Sequence, residues 1–452
     1  MAHDSLWRTL VRLRGNPRAC VWTEPLWGLS MALVLPYLSV YMLTLGVHDA
    51  QIGLVATVGM VAQVGFGLAG GIITDRLGRR PTTAWFDVIA WVIPCALWAL
   101  AQDFWFFLAA SVVNGALQVT QNSWDALMVE DAERGQLTRI YSLVKVAGDC
   151  SALFAPVAAV LVAQLGLEVA VRILFVNAAV VMAAKVVWLY AWSHETRQGA
   201  LRIAATRGQS LWSLLSGYRG VAGMLLRSRG SLLSLGIMAL VAAVTLVNAT
   251  FWQLLVSQHL HVPDAVLPIF PMVRSLLSVL LFFTLIPRLT TAVDLKRPTL
   301  WGFGVYLLGQ LLLAVIPAAE GSATAGTYAF LGVCLLLDAF GGGMMFMLSE
   351  SLVALHVDAA ERSRLMALQR TVVMLAAAPF GWISGVLSGI DRTYPFWLTT
   401  ALLAVGIVLT WRTWVPTHGG TAAEVTAVLD AGGAVQGSTA QASTARDAAD
   451  PA

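Results

Sequence analysis

Charge is what this sequence has least of. Of its 452 residues only 12% are Asp, Glu, Lys or Arg, while 58% are hydrophobic; an ordinary globular domain carries roughly 25% charged residues. That scarcity excludes a water-soluble fold. The net charge of +3 comes without any dense basic block, so no nucleic-acid partner is expected. Cysteine is scarce as well. Cys20, Cys95, Cys150 and Cys334 have neither paired nor ligand-like spacing, which argues against a disulfide framework or a metal site, and they read as small apolar packing residues. There is no H-E-x-x-H and no G-x-S-x-G to support hydrolysis, so neither an enzyme nor a cofactor is expected.

What the chain does have is long apolar runs. Crossing a bilayer takes about 20 helical residues, and runs of that order occupy 19–45, 50–73, 82–101, 105–129, 140–164, 169–192, 231–257, 265–287, 299–318, 327–355, 365–389 and 394–415. Hydrocarbon offers backbone groups no water, so these runs must be helices. The expected fold is an all-α polytopic membrane protein with twelve transmembrane helices. Arg8, Arg12, Arg14 and Arg18 precede the first run, but that run is too long for a signal segment and reads as retained. Nearly all Lys and Arg fall on the N-terminal side of the membrane. Only Arg392 falls on the other side, and Lys145, Arg172, Lys185, Arg274 and Arg370 lie within spans. By the positive-inside rule both termini are cytoplasmic.

The polar segment Ser193–Gly230 divides the runs six and six. Residues 1–192 and 231–416 are therefore expected as two halves joined by a cytoplasmic linker, 193–230, and followed by a disordered cytoplasmic tail, 417–452, rich in Gly, Ala, Thr and Ser. A shift of 228 residues lays SWDALMVEDAERGQL (Ser123–Leu137) over SLVALHVDAAERSRL (Ser351–Leu365), with eight identities. The fourth span of each half ends in the same way. An even number of spans per half makes such a repeat parallel.

Between the second and third runs stands GGIITDRLGRRPTT. Gly71, Asp75, Arg76, Gly78, Arg79 and Arg80 spell G-x-x-x-D-R-x-G-R-R, and at this point the chain resembles the major facilitator superfamily. The resemblance implies two six-helix bundles around a central site. It also implies that Asp75 docks near the start of span 11 when the outer gate is open, and that Arg79 pairs with the acids ending span 4, here Glu130 and Asp131. The residues carry an argument of their own. Gly71 admits a neighbouring backbone, Gly78 permits the reversal, and Pro81 suits a first helical turn. Asp75, at the C-terminal end of its helix, is disfavoured by the dipole and needs a cation or another helix's N-terminus. A plain anchor would need the arginines but neither the aspartate nor the glycines. The corresponding loop of the second half, PRLTTAVDLKRP, keeps Asp294, Lys296 and Arg297 but not the glycines, so the gate is expected to be asymmetric.

Polar groups within spans are functional candidates by default. On span 4, Asn114, Gln118, Gln121, Asn122 and Asp125 recur at helical spacing on one face, with Trp124 at its edge; the family resemblance turns this face to the substrate cavity. Glu350 stands where Asn122 stands in the repeat. Asp149 and Arg274 each lie about 15 Å deep at 1.5 Å per residue and are expected to approach one another or share an anionic substrate group. The alternative is an i, i+4 pair of Asp149 with Lys145. Glu24 can carry a proton, or snorkel beside Pro25, and Asp87 is equally ambiguous. Arg172 and Lys185 are expected to snorkel. Asn248 and Trp252, with Thr245, share a face of span 7 that suits either a substrate or packing.

The expected function is a secondary active transporter of a small organic solute at the cell membrane, monomeric, working by alternating access with a proton as candidate coupling ion. A non-transporting sensor or scaffold on the same fold is the alternative. A polytopic acyltransferase, resting only on the H-x-x-x-x-D pair His259 and Asp264, is a distant third.

Overall fold

Helices begin and break where local chemistry dictates. In the computed structural model, residues 10–132, 136–206, 229–284, 296–319, 321–356 and 362–413 are described, with side chains except at 138, 229–231, 281–284, 346–356 and 362–368. Expectations concerning 207–228, Asp294 and the tail 417–452 lie outside the described residues, as does the side chain of Glu350.

Helix α1 (Gly15–Val34) passes through a 3-10 turn at Leu35–Tyr37 into α2 (Leu38–Thr44); Pro36 sits in that turn, where its missing N–H interrupts the α ladder. The His48 N–H donates to the Gln51 side chain at 3.0 Å to open α3 (Asp49–Leu77). Helix α4 (Arg79–Asp87) continues through a π turn at Val88–Val92, just before Pro94, into α5 (Ile93–Ala99). Asp103 caps α6 (Phe104–Asn114), accepting from the Trp105 and Phe106 N–H groups at 2.9 and 3.4 Å, which satisfies donors the helix leaves open. Then follow α7 (Leu117–Val129), α8 (Leu137–Ser151), α9 (Ala155–Leu165), α10 (Leu167–Trp192) and α11 (Arg197–Thr206). Beyond them are α12 (Arg229–Leu254, extended by a π turn at Leu255–His259), α13 (Ile269–Thr284), α14 (Lys296–Ala314), α15 (Ala325–His356), α16 (Arg362–Ala377), α17 (Pro379–Ile390) and α18 (Tyr394–Thr413).

Nine helical stretches among the described residues are long and apolar enough to cross a membrane. The runs expected at 105–129, 265–287 and 299–318 are not among the nine, although most of their described residues are helical. The first breaks after Asn114 into α6 and α7, and α7 carries the polar stripe. Sixteen residues of α13 are described. Helix α14 opens on two cations, Lys296 and Arg297, and buries Gln310.

The apolar packing is asymmetric along the molecule. At the end away from the arginine-rich loop, the far end, one core joins helices before 193 to helices after 229: Tyr41, Ile52, Phe107 and Phe175 belong to the same cluster as Phe251, Leu267, Leu331 and Phe396. At the loop end the described residues form two cores. Leu127, Met128, Ile140 and Leu189 form one; Ile237, Phe303, Tyr306 and Leu403 form the other. The two groups of helices share a core at one end and have separate cores at the other. The outer faces remain apolar, with Trp85, Trp105, Trp301 and Trp411 all exposed, as lipid and its aromatic interface zones require.

Candidate functional site

Gly78 makes the turn between α3 and α4 with φ +96°, a conformation open to glycine, and a Cβ there would lie 2.6 Å from the Glu195 carboxylate. Gly71 does not do what the sequence implied. A Cβ on Gly71 meets no atom within 4 Å, whereas one on Gly70 would lie 2.9 Å from Asn122 Nδ2 and 3.3 Å from Val119 Cα. The close approach of α3 to α7 therefore falls one residue earlier, because a one-residue step turns a helix by about 100°.

Arg79 is buried and organises the loop. Its Nε donates to Glu130 at 3.0 and 3.2 Å, its Nη2 to Glu130 at 3.0 Å, and its Nη1 to Asp75 at 2.8 Å. Asp75 thus finds its cation one turn away on the chain. The expected docking at the start of span 11 falls partly on side chains outside those described. Arg76 is exposed. Arg80 donates to the Tyr190 carbonyl at 3.1 and 2.7 Å and lies 3.9 Å over the Tyr190 ring. Asp131 accepts from Asn16 and from the Arg197 N–H, both at 3.4 Å, rather than from Arg79.

Glu195 was not legible in the sequence. It accepts from the backbone N–H groups of Arg79 and Arg80 at 2.8 and 3.1 Å, placing a carboxylate on the positive end of α4. Thr196 donates to Glu130. The segment after α10 is thereby tied to the loop and to the end of α7.

Two amides of the stripe on span 4 are taken up by neighbouring segments. Asn114 donates to the Ala90 carbonyl at 2.7 Å, and Gln118 to Gln63 at 3.2 Å; both amides serve helix packing. Gln121 is half-buried and Asn122 exposed beside Gly70. Trp124 Nε1 and Asp125 Oδ1 are buried without a hydrogen-bond partner, as is the Tyr141 hydroxyl on α8.

Membrane-depth charges also pair differently from expectation. Asp149 and Arg274 do not pair with each other. Asp149 accepts from Lys145 at 3.0 Å, the i, i+4 alternative, and Arg274 is 3.0 Å from Asp338 on α15. Local spacing and a nearer acid decide both. Asp338 was missed, although a lone carboxylate in an apolar run is the signal that singled out Glu24. It sits in a network: Gln310 donates to Asp338 at 3.5 Å, Asn248 to Gln310 at 3.2 Å, and Thr399 to Gln310 at 2.9 Å. Asn248 is consumed there and Trp252 packs edge-on against Phe270 at 5.1 Å, while Thr245 is exposed; the span 7 residues form no common surface. Lys185 does not snorkel. It is buried and donates to Asp87 at 2.8 Å, whose other oxygen accepts from Thr120 at 2.7 Å. Glu24 is buried beside them within the field of Lys185. Arg172 donates to the carbonyls of Ala99 and Ala101 at 2.9 and 2.7 Å. Cys150 is exposed, unlike the other three cysteines. His259 meets the Ile316 carbonyl at 3.1 Å and Asp264 accepts from Ser257 at 2.7 Å, so those two do not form a dyad.

At the far end α3 and α17 lie in the most extensive helix contact of the described residues. A Cβ on Gly53 would fall 2.3 Å from the Gly381 carbonyl, and one on Gly385 2.5 Å from the Asp49 carbonyl. Thr57 donates to the Ala378 carbonyl at 2.7 Å and accepts from the Trp382 N–H at 2.8 Å. Arg392 pairs with Asp49, which also accepts from Ser388 at 2.9 Å.

The sequence matches the family model described as Major Facilitator Superfamily over residues 26–335. Among solved structures it is similar to the nucleoside transporter NupG, with 17% identity and a TM-score of 0.66 over 88% of this chain and 98% of that one. A peptide transporter POT in complex with alafosfalin gives 15% and 0.66, over 89% and 96%. The human organic anion transporter MFSD10 gives 18% and 0.56, over 87% and 98%. Identities this low show a shared fold and leave function to the site. No curated protein matches the sequence.

Proposed function

The chain belongs to the major facilitator superfamily, and on that premise we propose that it is a secondary active transporter of a small organic solute, not an enzyme. It works by rocking two halves about a central site in the cell membrane. In this reading twelve spans form two parallel-repeat bundles, 1–192 and 231–416, joined by a cytoplasmic linker, and the loop end is the cytoplasmic side with both termini. The observation that carries the proposal is the shared apolar core at the far end against two separate cores at the loop end. Such a molecule is closed outside and parted inside, one of the two states alternating access requires.

The loop chemistry supports the same reading. With the loop end parted, Asp75 bonds Arg79 within its own half and is available to the other half when that end closes. Asn122, Gln121 and Asp125 on one side and Arg274 on the other are the proposed solute-facing groups, Arg274 being 44% exposed despite its pairing with Asp338. An exposed guanidinium held by a buried acid suits a solute with an anionic group.

Solute flux in sealed vesicles tests the proposal. Purified protein, with candidate solutes chosen by their effect on its thermal stability, is expected to exchange labelled solute across the vesicle wall. A solute that stabilises the protein but never crosses would replace the transporter by a sensor on the same fold.

A further inference from the structure

Helices α1 and α10 pack against each other, and each belongs to a stretch long and apolar enough to cross a membrane. At their loop ends they leave a cavity of about 410 Å³, lined among the described residues by Gly15, Arg18 and Ala19 of α1 and by Trp192, the last residue of α10. Small-molecule sites span roughly 300–1,000 Å³, so it is large enough to hold a ligand. Arg18 is exposed and makes no hydrogen bond or ion pair with a described residue. Arg14, just before the helix, is exposed as well. No carboxylate is among the described lining residues; the acid tied to this wall, Asp131, is engaged by Asn16 and the Arg197 N–H. The cavity therefore presents an uncompensated guanidinium.

Its surroundings are apolar and aromatic. One turn deeper than Arg18, about 6 Å at 1.5 Å per residue, α1 exposes Trp22; α10, running the other way, exposes Trp188 one turn deeper than Trp192. Trp188 and Trp192 are stacked, with ring centroids 6.0 Å apart and planes at 9°. Val180 and Val187 are exposed on the same helix, so this side of α10 is a face for lipid. A cation outermost with aromatic rings one turn in is the order of a bilayer interface. The positive-inside rule accounts for arginines near this boundary, but not for a cavity between two spans that sets one of them beside an indole. Basic pockets between spans on the cytoplasmic side suit acidic headgroups, and a guanidinium matches phosphate oxygens with paired N–H groups. We propose that this cavity is the binding site of one anionic phospholipid, its phosphate on Arg18 and its acyl chains along Trp22 and Trp188. The assignment rests on the orientation proposed above, with the loop end at the cytoplasmic face, and does not require that the protein move a solute. Asn16 accepts from the His194 N–H at 2.9 Å and donates to Asp131, which fastens the cavity wall to the segments after α10 and α7. A headgroup held there bridges α1 and α10 at the end where the two groups of helices part.

Native mass spectrometry and thermal unfolding of the full-length protein in detergent, with dioleoylphosphatidylglycerol added, test the site. Dioleoylphosphatidylcholine has the same chains and a phosphate but no net charge, and inorganic phosphate supplies the anion without chains. The wild type is expected to retain one phosphatidylglycerol in preference to phosphatidylcholine and to unfold at a higher temperature with it, as a ligand of the folded state requires. Arg18→Gln should weaken that binding about fivefold, one basic residue's share of the attraction to acidic lipid, while its lipid-free unfolding temperature stays that of the wild type. Trp192→Ala should weaken it too. Arg412→Gln, which removes an exposed cation in the last turn of α18, should not. Equal binding by the wild type and Arg18→Gln, or an equal loss in Arg412→Gln, overturns the site. Stabilisation by inorganic phosphate that matches phosphatidylglycerol and depends on Arg18 replaces the lipid by a soluble anion. Paired copies of the protein that Arg18→Gln separates replace it by a second copy of this chain. Flux is read separately: Arg18-dependent lipid binding in a protein that moves no solute keeps the site and ends the transport reading, and flux without such binding does the reverse.

Discussion

Arg79 shows how much one side chain can depend on its partners. Its guanidinium is 7% exposed and its main carboxylate, Glu130, 5%. Removing one member of a buried pair strands the other, at a cost of about 3–5 kcal/mol. Glu130→Gln should therefore lower the unfolding temperature in detergent well beyond the effect of Asp75→Asn, because Asp75 is 33% exposed and solvent screens it. Equal losses would mean that Asp75 anchors the arginine as much as Glu130 does, against the reading from burial. Gly78→Ala adds strain at φ +96°, ψ 164°, worth about 1–3 kcal/mol, and a collision with Glu195. Its loss of stability should shrink when Glu195→Ala removes the collision, a coupling readable in a double-mutant cycle. Of these residues the motif letters were legible in the sequence because they are adjacent. Glu195 was not, since it reaches Arg79 across 116 positions.

At the scale of elements, the α3–α17 contact depends on small residues that let two backbones meet. Gly53→Val or Gly385→Val inserts a side chain where even a Cβ would overlap a carbonyl, and should pry the far end apart while leaving each group of helices folded. Labels on α3 and α17 would then report a longer distance with little change in helix content; an unchanged distance would show that the glycines are not the contact. The entry to α18 carries its own pH signature. Asp391 accepts from the Thr393 N–H and hydroxyl at 2.8 and 2.7 Å, and these bonds hold its carboxyl below the usual carboxylate range. A depressed acid stabilises above its unfolded value near 4, and that contribution fades as pH falls through the lower folded value. Asp391→Ala should flatten the acid limb of the stability curve below about pH 4 and leave neutral pH behaviour with only a small uniform loss, measured by thermal unfolding across pH.

For the whole molecule, the unequal packing of the two ends predicts a two-state distance pattern. Label pairs spanning the groups at the loop end should show a broad or bimodal distribution that solute or pH shifts, with far-end pairs moving in the opposite sense. Both ends moving together would contradict rocking. What the sequence alone determined is the class: scarce charge and long apolar runs require membrane helices, cation placement implies an orientation, and the 70–83 loop identifies the family, all from patterns contained within a few turns of chain. What only the tertiary structure decided is which polar groups meet. Lys185 finds Asp87 across 98 positions, Arg274 finds Asp338 instead of Asp149, and the stripe on span 4 is shared out between α3, the π turn at Val88–Val92 and an Asp125 whose Oδ1 has no partner among the described residues. Helical periodicity reports which residues share a face, because that depends on backbone geometry alone. The helix that covers the face depends on packing between distant segments, and no local spacing encodes it.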